Sequence, residues 1–90
     1  MKVRIFGKPG CEACKGTKEK FETFLNHWGL LASVSIIFYD METVEGLAEG
    51  AFNSVIKIPT TIIEKDGKKL ARWDGVVPKS EEFKEYFIRG

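Results

Sequence analysis

Residues 3–14 read V-R-I-F-G-K-P-G-C-E-A-C, and this stretch decides how the fold begins. Its first residues are mostly apolar, which predicts a short β-strand that ends at the turn residues 7–10. After Cys11, apolar residues recur at helical spacing as far as Trp28. The sequence therefore places Cys11 and Cys14 at a strand–helix junction, with Cys11 at the N-terminus of the helix.

The rest of the chain alternates between strand and helix patterns. Residues 34–39 read V-S-I-I-F-Y, a nearly continuous apolar run that predicts a central strand covered on both faces. A helix is predicted to start at Asp40, with apolar residues up to Phe52 and two glycines that weaken it. The remaining predicted elements are a strand at 60–63, a tight turn at 66–67, a strand at 68–74 and a helix after residue 80.

This order of elements, β-α-β-α-β-β-α, predicts an α/β fold in a single domain over residues 1–90. A strand–helix–strand unit makes its two strands parallel, and the later hairpin adds an antiparallel edge. The expected architecture is a four-stranded mixed sheet with helices on both faces.

The composition narrows the classes of function. The chain has 14 basic and 13 acidic residues, and a net charge of +1 argues against a nucleic-acid binder. No apolar run reaches the roughly 20 residues that cross a bilayer, so no membrane partner is expected. The N-terminus lacks the apolar core of a signal peptide, which predicts a cytoplasmic protein. In that compartment a close cysteine pair is more typical of catalysis or metal binding than of a structural disulfide.

The C-x-x-C spacing suits reversible disulfide chemistry. Helix residues three apart have Cβ atoms about 5–6 Å apart and a disulfide needs about 3.5–4.5 Å, so a slightly tightened first turn permits the bridge. The helix N-terminus favours a thiolate at Cys11, which predicts that Cys11 attacks and Cys14 resolves the mixed disulfide. The carboxylate of Glu12 disfavours this thiolate, whereas Lys8 and Lys15 favour it.

Metal binding is the main alternative use of the cysteine pair. Cys14 and His27 continue a C-x2-C-x12-H pattern, but no second histidine follows, and about 20 Å of helix separates them. Copper-transfer modules also place C-x-x-C between a first strand and a first helix, although they typically have Met at the position of Pro9. A carrier of copper(I) or zinc therefore remains the alternative function, and no resident metal is expected. An inert buried pair is disfavoured by the polar residues around the motif.

The tripeptide Ile58-Pro59-Thr60 adds a second feature downstream of the cysteines. Together with C-x-x-C at a strand–helix turn, it makes the chain resemble the thioredoxin superfamily. In that superfamily a cis-proline loop lies beside the cysteine pair, and the backbone of the preceding residue pairs with bound substrate. The resemblance implies a thioredoxin-like fold, a cis peptide bond at Pro59 and substrate binding by Ile58, Pro59 and Thr60.

Different parts of the chain resemble two branches of the superfamily. The direct lead from the first strand into C-x-x-C resembles glutaredoxins, in which a lysine at the position of Lys8 contacts glutathione. The segment from Ile58 onward, followed by Gly67 and Gly75, resembles thioredoxins. The resemblance implies a monomeric dithiol–disulfide oxidoreductase that reduces protein or small-molecule disulfides without a bound cofactor. The implied electron donor is glutathione or a flavoprotein thioredoxin reductase.

Overall fold

The computed structural model describes residues 1–88, and its elements follow the predicted order. The strands are β1 (Lys2–Gly7), β2 (Ser35–Asp40), β3 (Thr60–Lys65) and β4 (Lys68–Asp74). The helices are α1 (Glu12–His27), α2 (Val44–Phe52) and α3 (Ser80–Phe87). Within residues 1–88, no helix combines the length and the apolar character needed to span a bilayer.

The four strands form one mixed sheet in the order β2-β1-β3-β4. β1 runs parallel to β2 and antiparallel to β3, and β3 forms an antiparallel hairpin with β4. The hairpin turns at Asp66 and Gly67, whose φ values of 52° and 79° are the left-handed values that this kind of tight turn needs. The predicted parallel pair, mixed sheet and antiparallel edge are therefore confirmed.

β2 lies at an edge of the sheet, so the predicted central position of residues 34–39 is wrong. The central strands are β1 and β3, and every residue of β2 is half-buried or exposed. Its apolar residues are explained because other side chains cover both faces of this strand. Phe38 packs against the core, whereas Tyr39 stacks on Phe6 with ring centroids 4.7 Å apart. An apolar run therefore reports what covers the faces of a strand, and it does not report the place of that strand in the sheet.

The main core lies between one face of the sheet and the helices α1 and α3. Phe21 and Leu25 of α1 and Phe83 of α3 are fully buried there, together with Val3 and Ile5 of β1. The rings of Phe21 and Phe83 stack with centroids 4.2 Å apart, which joins the two helices over the sheet. The predicted inward face of the last helix is confirmed at Phe83.

α2 covers the opposite face of the sheet through a surface of glycines. Arg4, which alternates with the core residues of β1, reaches this face and places its Nη1 atom 3.5 Å from a carboxylate oxygen of Glu49. Gly46 and Gly50 are buried, and a Cβ atom at Gly50 would lie 2.5 Å from the Cε atom of Met41. The apolar side chains of α2 point outward, with exposed fractions of 80% for Val44, 53% for Leu47 and 91% for Phe52. Helices thus cover both faces, as predicted.

α2 begins at Val44, four residues later than the predicted start at Asp40. Asp40 ends β2, and its Oδ1 atom accepts a hydrogen bond from the backbone N–H of Glu42 at 2.8 Å. Thr43 is the residue that caps the helix, because its hydroxyl oxygen accepts from the backbone N–H of Gly46 at 3.0 Å. Both residues are good N-caps, and the side-chain turn formed by Asp40 leaves the capping position to Thr43.

Replacing Phe83 with alanine is expected to lower the free energy of unfolding by about 3–5 kcal/mol, because the change leaves a cavity between α1, α3 and the sheet. Phe52→Ala removes the same atoms from a side chain that is 91% exposed, and a change below about 0.5 kcal/mol is expected there. Urea unfolding followed by tryptophan fluorescence measures both values. Similar losses in the two variants would contradict this placement of the core.

Candidate active site

The cysteine pair lies where β1 ends and α1 begins. Cys11 is the N-cap of α1, with extended backbone angles (φ −89°, ψ 109°), and Cys14 lies within the first turn. The two sulfurs form a disulfide, and the two Cα atoms are 5.2 Å apart. The backbone N–H of Cys14 donates a hydrogen bond to the sulfur of Cys11 at 3.2 Å. An N–H group that has no partner within the helix is therefore directed at that sulfur.

The two cysteines differ in their access to solvent. Cys14 is fully buried, whereas Cys11 is only partly covered. A thiol that attacks a substrate needs both access and an environment that stabilises its thiolate. Cys11 has both, because it combines exposure with the positive end of the α1 dipole. Cys14 has the shielding that suits the resolving partner.

Gly7, the last residue of β1, provides the space that Cys14 occupies. A Cβ atom at this position would lie 2.6 Å from both the Cβ and the sulfur of Cys14, and 3.1 Å from the ring of Phe38. The first turn of α1 therefore packs directly on the backbone of the central strand. The sequence identified Gly7 only as part of a turn. The signal for its packing role is a glycine in a strand, which often marks close approach of another group.

The Ile58–Pro59 peptide bond is cis, as the resemblance implied. Phe6 of β1 pairs with Thr60 of β3, so the residues just beyond this pair, Gly7 and Pro59, lie at the same end of the sheet. Because Gly7 contacts Cys14, this register brings the proline loop and the cysteine pair together. Pro59 is buried, and its carbonyl oxygen accepts a hydrogen bond from the backbone N–H of Gly75 at 2.8 Å.

Thr60 holds this loop from beneath. Its side chain is fully buried. Its hydroxyl donates to the carbonyl oxygen of Lys57 at 2.6 Å and lies 3.4 Å from Oδ1 of Asp74. The Thr60 side chain therefore fixes the path of the loop that carries Ile58 and Pro59.

Arg72 and Asp74 of β4 complete the support of the proline loop, and the sequence analysis assigns no role to either. The Nε atom of Arg72 lies 3.0 Å from both carboxylate oxygens of Asp74. Its two terminal nitrogens donate to the carbonyl oxygens of Asn53 and Ser54, just after α2. The hydrogen bond from Arg72 holds the pKa of Asp74 below its usual value, and Thr60 and the positive charges of Arg72 and Lys57 act in the same direction. The network ties β4 to both ends of the segment that leads from α2 to Pro59.

A cleft of about 430 Å³ opens beside Cys11, and we call it the lysine cleft. Its walls include Lys8, Pro9, Cys11, Lys15, Lys18 and Phe38. The charged residues that are predicted to act on the Cys11 thiolate all line this cleft, namely Lys8, Lys15 and Glu12. Ile58, Pro59 and Thr60 do not line it. Sequence analysis identifies two of the three lysines of the cleft. It does not identify Lys18, because this residue lies a further turn along α1.

The structure does not support the metal-carrier alternative. His27 is the last residue of α1, so the length of the helix separates it from the cysteines. Residues 1–88 contain no group of three or more His, Cys, Asp or Glu side chains that could hold a metal ion. The cysteine pair at disulfide distance instead supports thiol–disulfide chemistry.

Comparison with known proteins agrees with the fold and the cysteine motif. A family profile described as "Thioredoxin domain" matches residues 1–88. The chain belongs to the thioredoxin domain family. The resemblance to the thioredoxin superfamily is thereby confirmed. No curated protein sequence matches this thioredoxin domain at a significant level.

Solved structures of thioredoxins superpose on this thioredoxin domain over most of its length. Thioredoxin 1 of Thermosipho africanus TCF52B is 23% identical, with a TM-score of 0.75 and coverage of 96% of this chain and 90% of that one. Thioredoxin-2 of a malaria parasite is 24% identical, with a TM-score of 0.72 and coverage of 91% and 75%. The thioredoxin of Fasciola hepatica is 25% identical, with a TM-score of 0.70 and coverage of 94% and 75%. These likenesses confirm the predicted thioredoxin-like fold.

Replacing Gly7 with alanine is expected to displace Cys14 and the first turn of α1, because no side chain fits between them and β1. We expect a lower free energy of unfolding and a disulfide that dithiothreitol reduces at a changed rate. Gly16→Ala is the matched control, since a Cβ atom there meets nothing within 4 Å. In the middle of α1 this change is expected to stabilise the protein by about 0.5–1 kcal/mol. Equal behaviour of the two variants in thermal unfolding would contradict the role of Gly7.

The ion pair of Asp74 predicts a specific dependence of stability on pH. A carboxyl group whose pKa is lowered in the folded state contributes stability above its unfolded pKa, and this contribution is lost as the pH falls through the folded pKa. Asp74→Asn is therefore expected to have a lower free energy of unfolding than the wild type at pH 7. This difference should shrink as the pH falls below 3.8, the ordinary pKa of an aspartate. Urea unfolding across this range measures it. A difference that stays constant with pH would show that the ion pair does not stabilise the loop.

Proposed function

We propose that the protein is a dithiol–disulfide oxidoreductase that reduces protein or small-molecule disulfides. One observation carries the proposal: the pair consists of an accessible sulfur at a helix N-terminus and a buried sulfur one turn later. The first position stabilises and presents a thiolate, and the second keeps its thiol away from substrate until a mixed disulfide has formed. The roles of Cys11 and Cys14 follow from this difference.

In the proposed cycle the Cys11 thiolate attacks one sulfur of the substrate disulfide. The substrate S–S bond breaks, and its other sulfur leaves as a thiolate that takes a proton from solvent. The Cys14 thiol then loses its proton, and its sulfur attacks the Cys11 sulfur and releases the second substrate thiol. Two electrons pass to the substrate, and the protein is left with the Cys11–Cys14 disulfide that the structure contains.

The substrate backbone is proposed to lie along Ile58 and Pro59. Ile58 is half-buried, and within the described residues 1–88 its N–H and C=O groups make no hydrogen bond. Free backbone groups beside a sheet can pair with an extended peptide as an added strand. The network of Thr60, Asp74 and Arg72 supports this role, because it fixes the loop from the side opposite to solvent.

An external donor must return the protein to its dithiol form, and we propose glutathione or a flavoprotein thioredoxin reductase. Neither donor requires a cofactor bound to this chain. A cytoplasmic location fits this direction of electron flow, since thiols are kept reduced there. Glu12 and the lysines Lys8 and Lys15 are proposed to set the stability of the Cys11 thiolate from the rim of the lysine cleft.

Cys14→Ser is expected to accumulate a mixed disulfide between Cys11 and the substrate, because the second attack is lost. The matched variant Cys11→Ser is expected to form none, since its remaining thiol is buried. Mass spectrometry of the unreduced proteins after mixing with a disulfide peptide measures both. A mixed disulfide on Cys14 in Cys11→Ser, formed as fast as the one on Cys11 in Cys14→Ser, would contradict the assigned roles.

The donor is tested with the wild-type protein and a disulfide substrate. One assay supplies glutathione with glutathione reductase, and the other supplies thioredoxin reductase, each with NADPH consumption as the readout. Turnover with a single donor identifies it. Absence of substrate reduction with both donors and with dithiothreitol would contradict the proposed function itself.

A further inference from the structure

The lysine cleft gives the surface beside Cys11 an excess of positive charge. Three lysines, Lys8, Lys15 and Lys18, line it against the single carboxylate of Glu12. The whole chain carries a net charge of only +1, so this excess is local. The N-terminus of α1 adds its own partial positive charge next to Cys11.

The lysines of the cleft are not neutralised by strong ion pairs. Among residues 1–88, Lys8 and Lys18 form no salt bridge. Lys15 lies 4.0 Å from Glu19, and both side chains are more than half exposed, so that pair is weak. The positive charges are therefore available to a ligand that approaches Cys11.

The shape of the cleft suits an amphipathic ligand. Phe38 and Pro9 supply apolar walls, and the lysines supply charge around them. The cleft lies on the β2 side of β1, because Phe38 belongs to β2. Ile58 and Pro59 lie on the other side of β1, just before β3. When the substrate backbone lies on the proline loop, the part of the substrate that extends past Cys11 therefore reaches the lysine cleft.

We infer that the lysine cleft binds carboxylates of the disulfide substrate, so that the protein prefers disulfides with acidic groups next to the reactive cysteine. This inference rests on the proposed function and specifies its substrate class. The carboxylates can belong to an acidic protein segment or to a small anionic disulfide, and the chemistry of recognition is the same for both. The exchange of electrons and protons is that of the proposed cycle.

The first experiment compares the rates at which the fully reduced protein reduces three disulfide peptides. The peptides differ only in the residues beside the cysteine, which are acidic, neutral or basic, and oxidised glutathione is a fourth substrate. The acidic peptide is expected to react fastest at low salt. The preference should largely disappear near 1 M salt, where the Debye length is about 3 Å.

Lys18→Gln isolates the contribution of the cleft, because Lys18 has no part in the proposed chemistry of the cysteines. We expect the rate for the acidic peptide to fall by about 1.5-fold to 5-fold, the range typical of exposed ion pairs, and Lys18→Glu to lower it further. The rate for the neutral peptide should not change. Lys68→Gln is the matched control, since Lys68 is exposed at the hairpin end of β4, away from the Thr60 end of the sheet.

The sources of the carboxylate are separated by which substrate responds to Lys18→Gln. A response confined to oxidised glutathione identifies small anionic disulfides, and a response confined to the acidic peptide identifies acidic protein segments. A response of both assigns both sources. Equal rates for the three peptides, or equal losses in Lys18→Gln and Lys68→Gln, would overturn the inference while leaving the oxidoreductase intact.

A binding measurement on the oxidised protein tests the cleft without any redox reaction. An acidic peptide with serine in place of its cysteine is titrated into the protein, and amide chemical shifts are followed by NMR. Changes centred on Gly10, Lys18 and Phe38, absent with the basic peptide, are expected. Unchanged shifts at these residues would overturn the inference. Failure to reduce any of the four substrates would instead contradict the proposed function.

Discussion

The close packing of Cys14 on Gly7 is the constraint on which the rest of the site depends. It sets the first turn of α1 directly on the backbone of a central strand, so Cys14 is sealed from solvent. Cys11, three residues earlier, is then left at the rim with the N–H of Cys14 directed at its sulfur. The difference between an accessible and a buried sulfur is therefore produced by the absence of one methyl group in β1. A site built on a strand in this way is held more rigidly than one built on a loop.

The second half of the site is positioned by a different kind of interaction. Pro59 lies in a loop, and loops lack the regular hydrogen bonds that fix a strand. Here β4 supplies the missing restraints through the guanidinium of Arg72 and the carboxylate of Asp74, and Gly75, the residue after β4, adds its backbone N–H. Close packing of Cys14 on the backbone of Gly7 holds the cysteines, and a charged hydrogen-bond network holds the proline loop. Both act at the same end of the sheet, because β1 and β3 are neighbours.

What the sequence predicted correctly depends on short-range signals. The strand–turn–helix around the cysteines and the Asp66-Gly67 hairpin are encoded by residues close together in the chain, and both were found. The edge position of β2 was missed, because it depends on which strand pairs with β1 on the other side. The start of α2 was misplaced because Asp40 and Thr43 are both favourable caps in sequence, and only the structure shows that Thr43 caps the helix. Arg72 and Asp74 gave no signal, since their partners lie on other elements. At Thr60 the sequence does not distinguish a hydroxyl that supports the loop from one that binds substrate, because burial depends on the packing of the other strands.

The glycine surface of α2 reverses the usual relation between apolar character and tolerance to substitution. Gly46 packs on the backbone carbonyl of Asp40 at the end of β2, so even an alanine has no room there, whereas Val44 and Phe52 contact mainly solvent. In a library of variants of this helix, the positions with the largest apolar residues should accept almost any side chain, and Gly46 should accept none. Hydropathy alone would rank these positions in the opposite order. An engineer seeking a place to attach a label or to raise solubility should therefore choose the apolar residues of α2 and leave Gly46 unchanged.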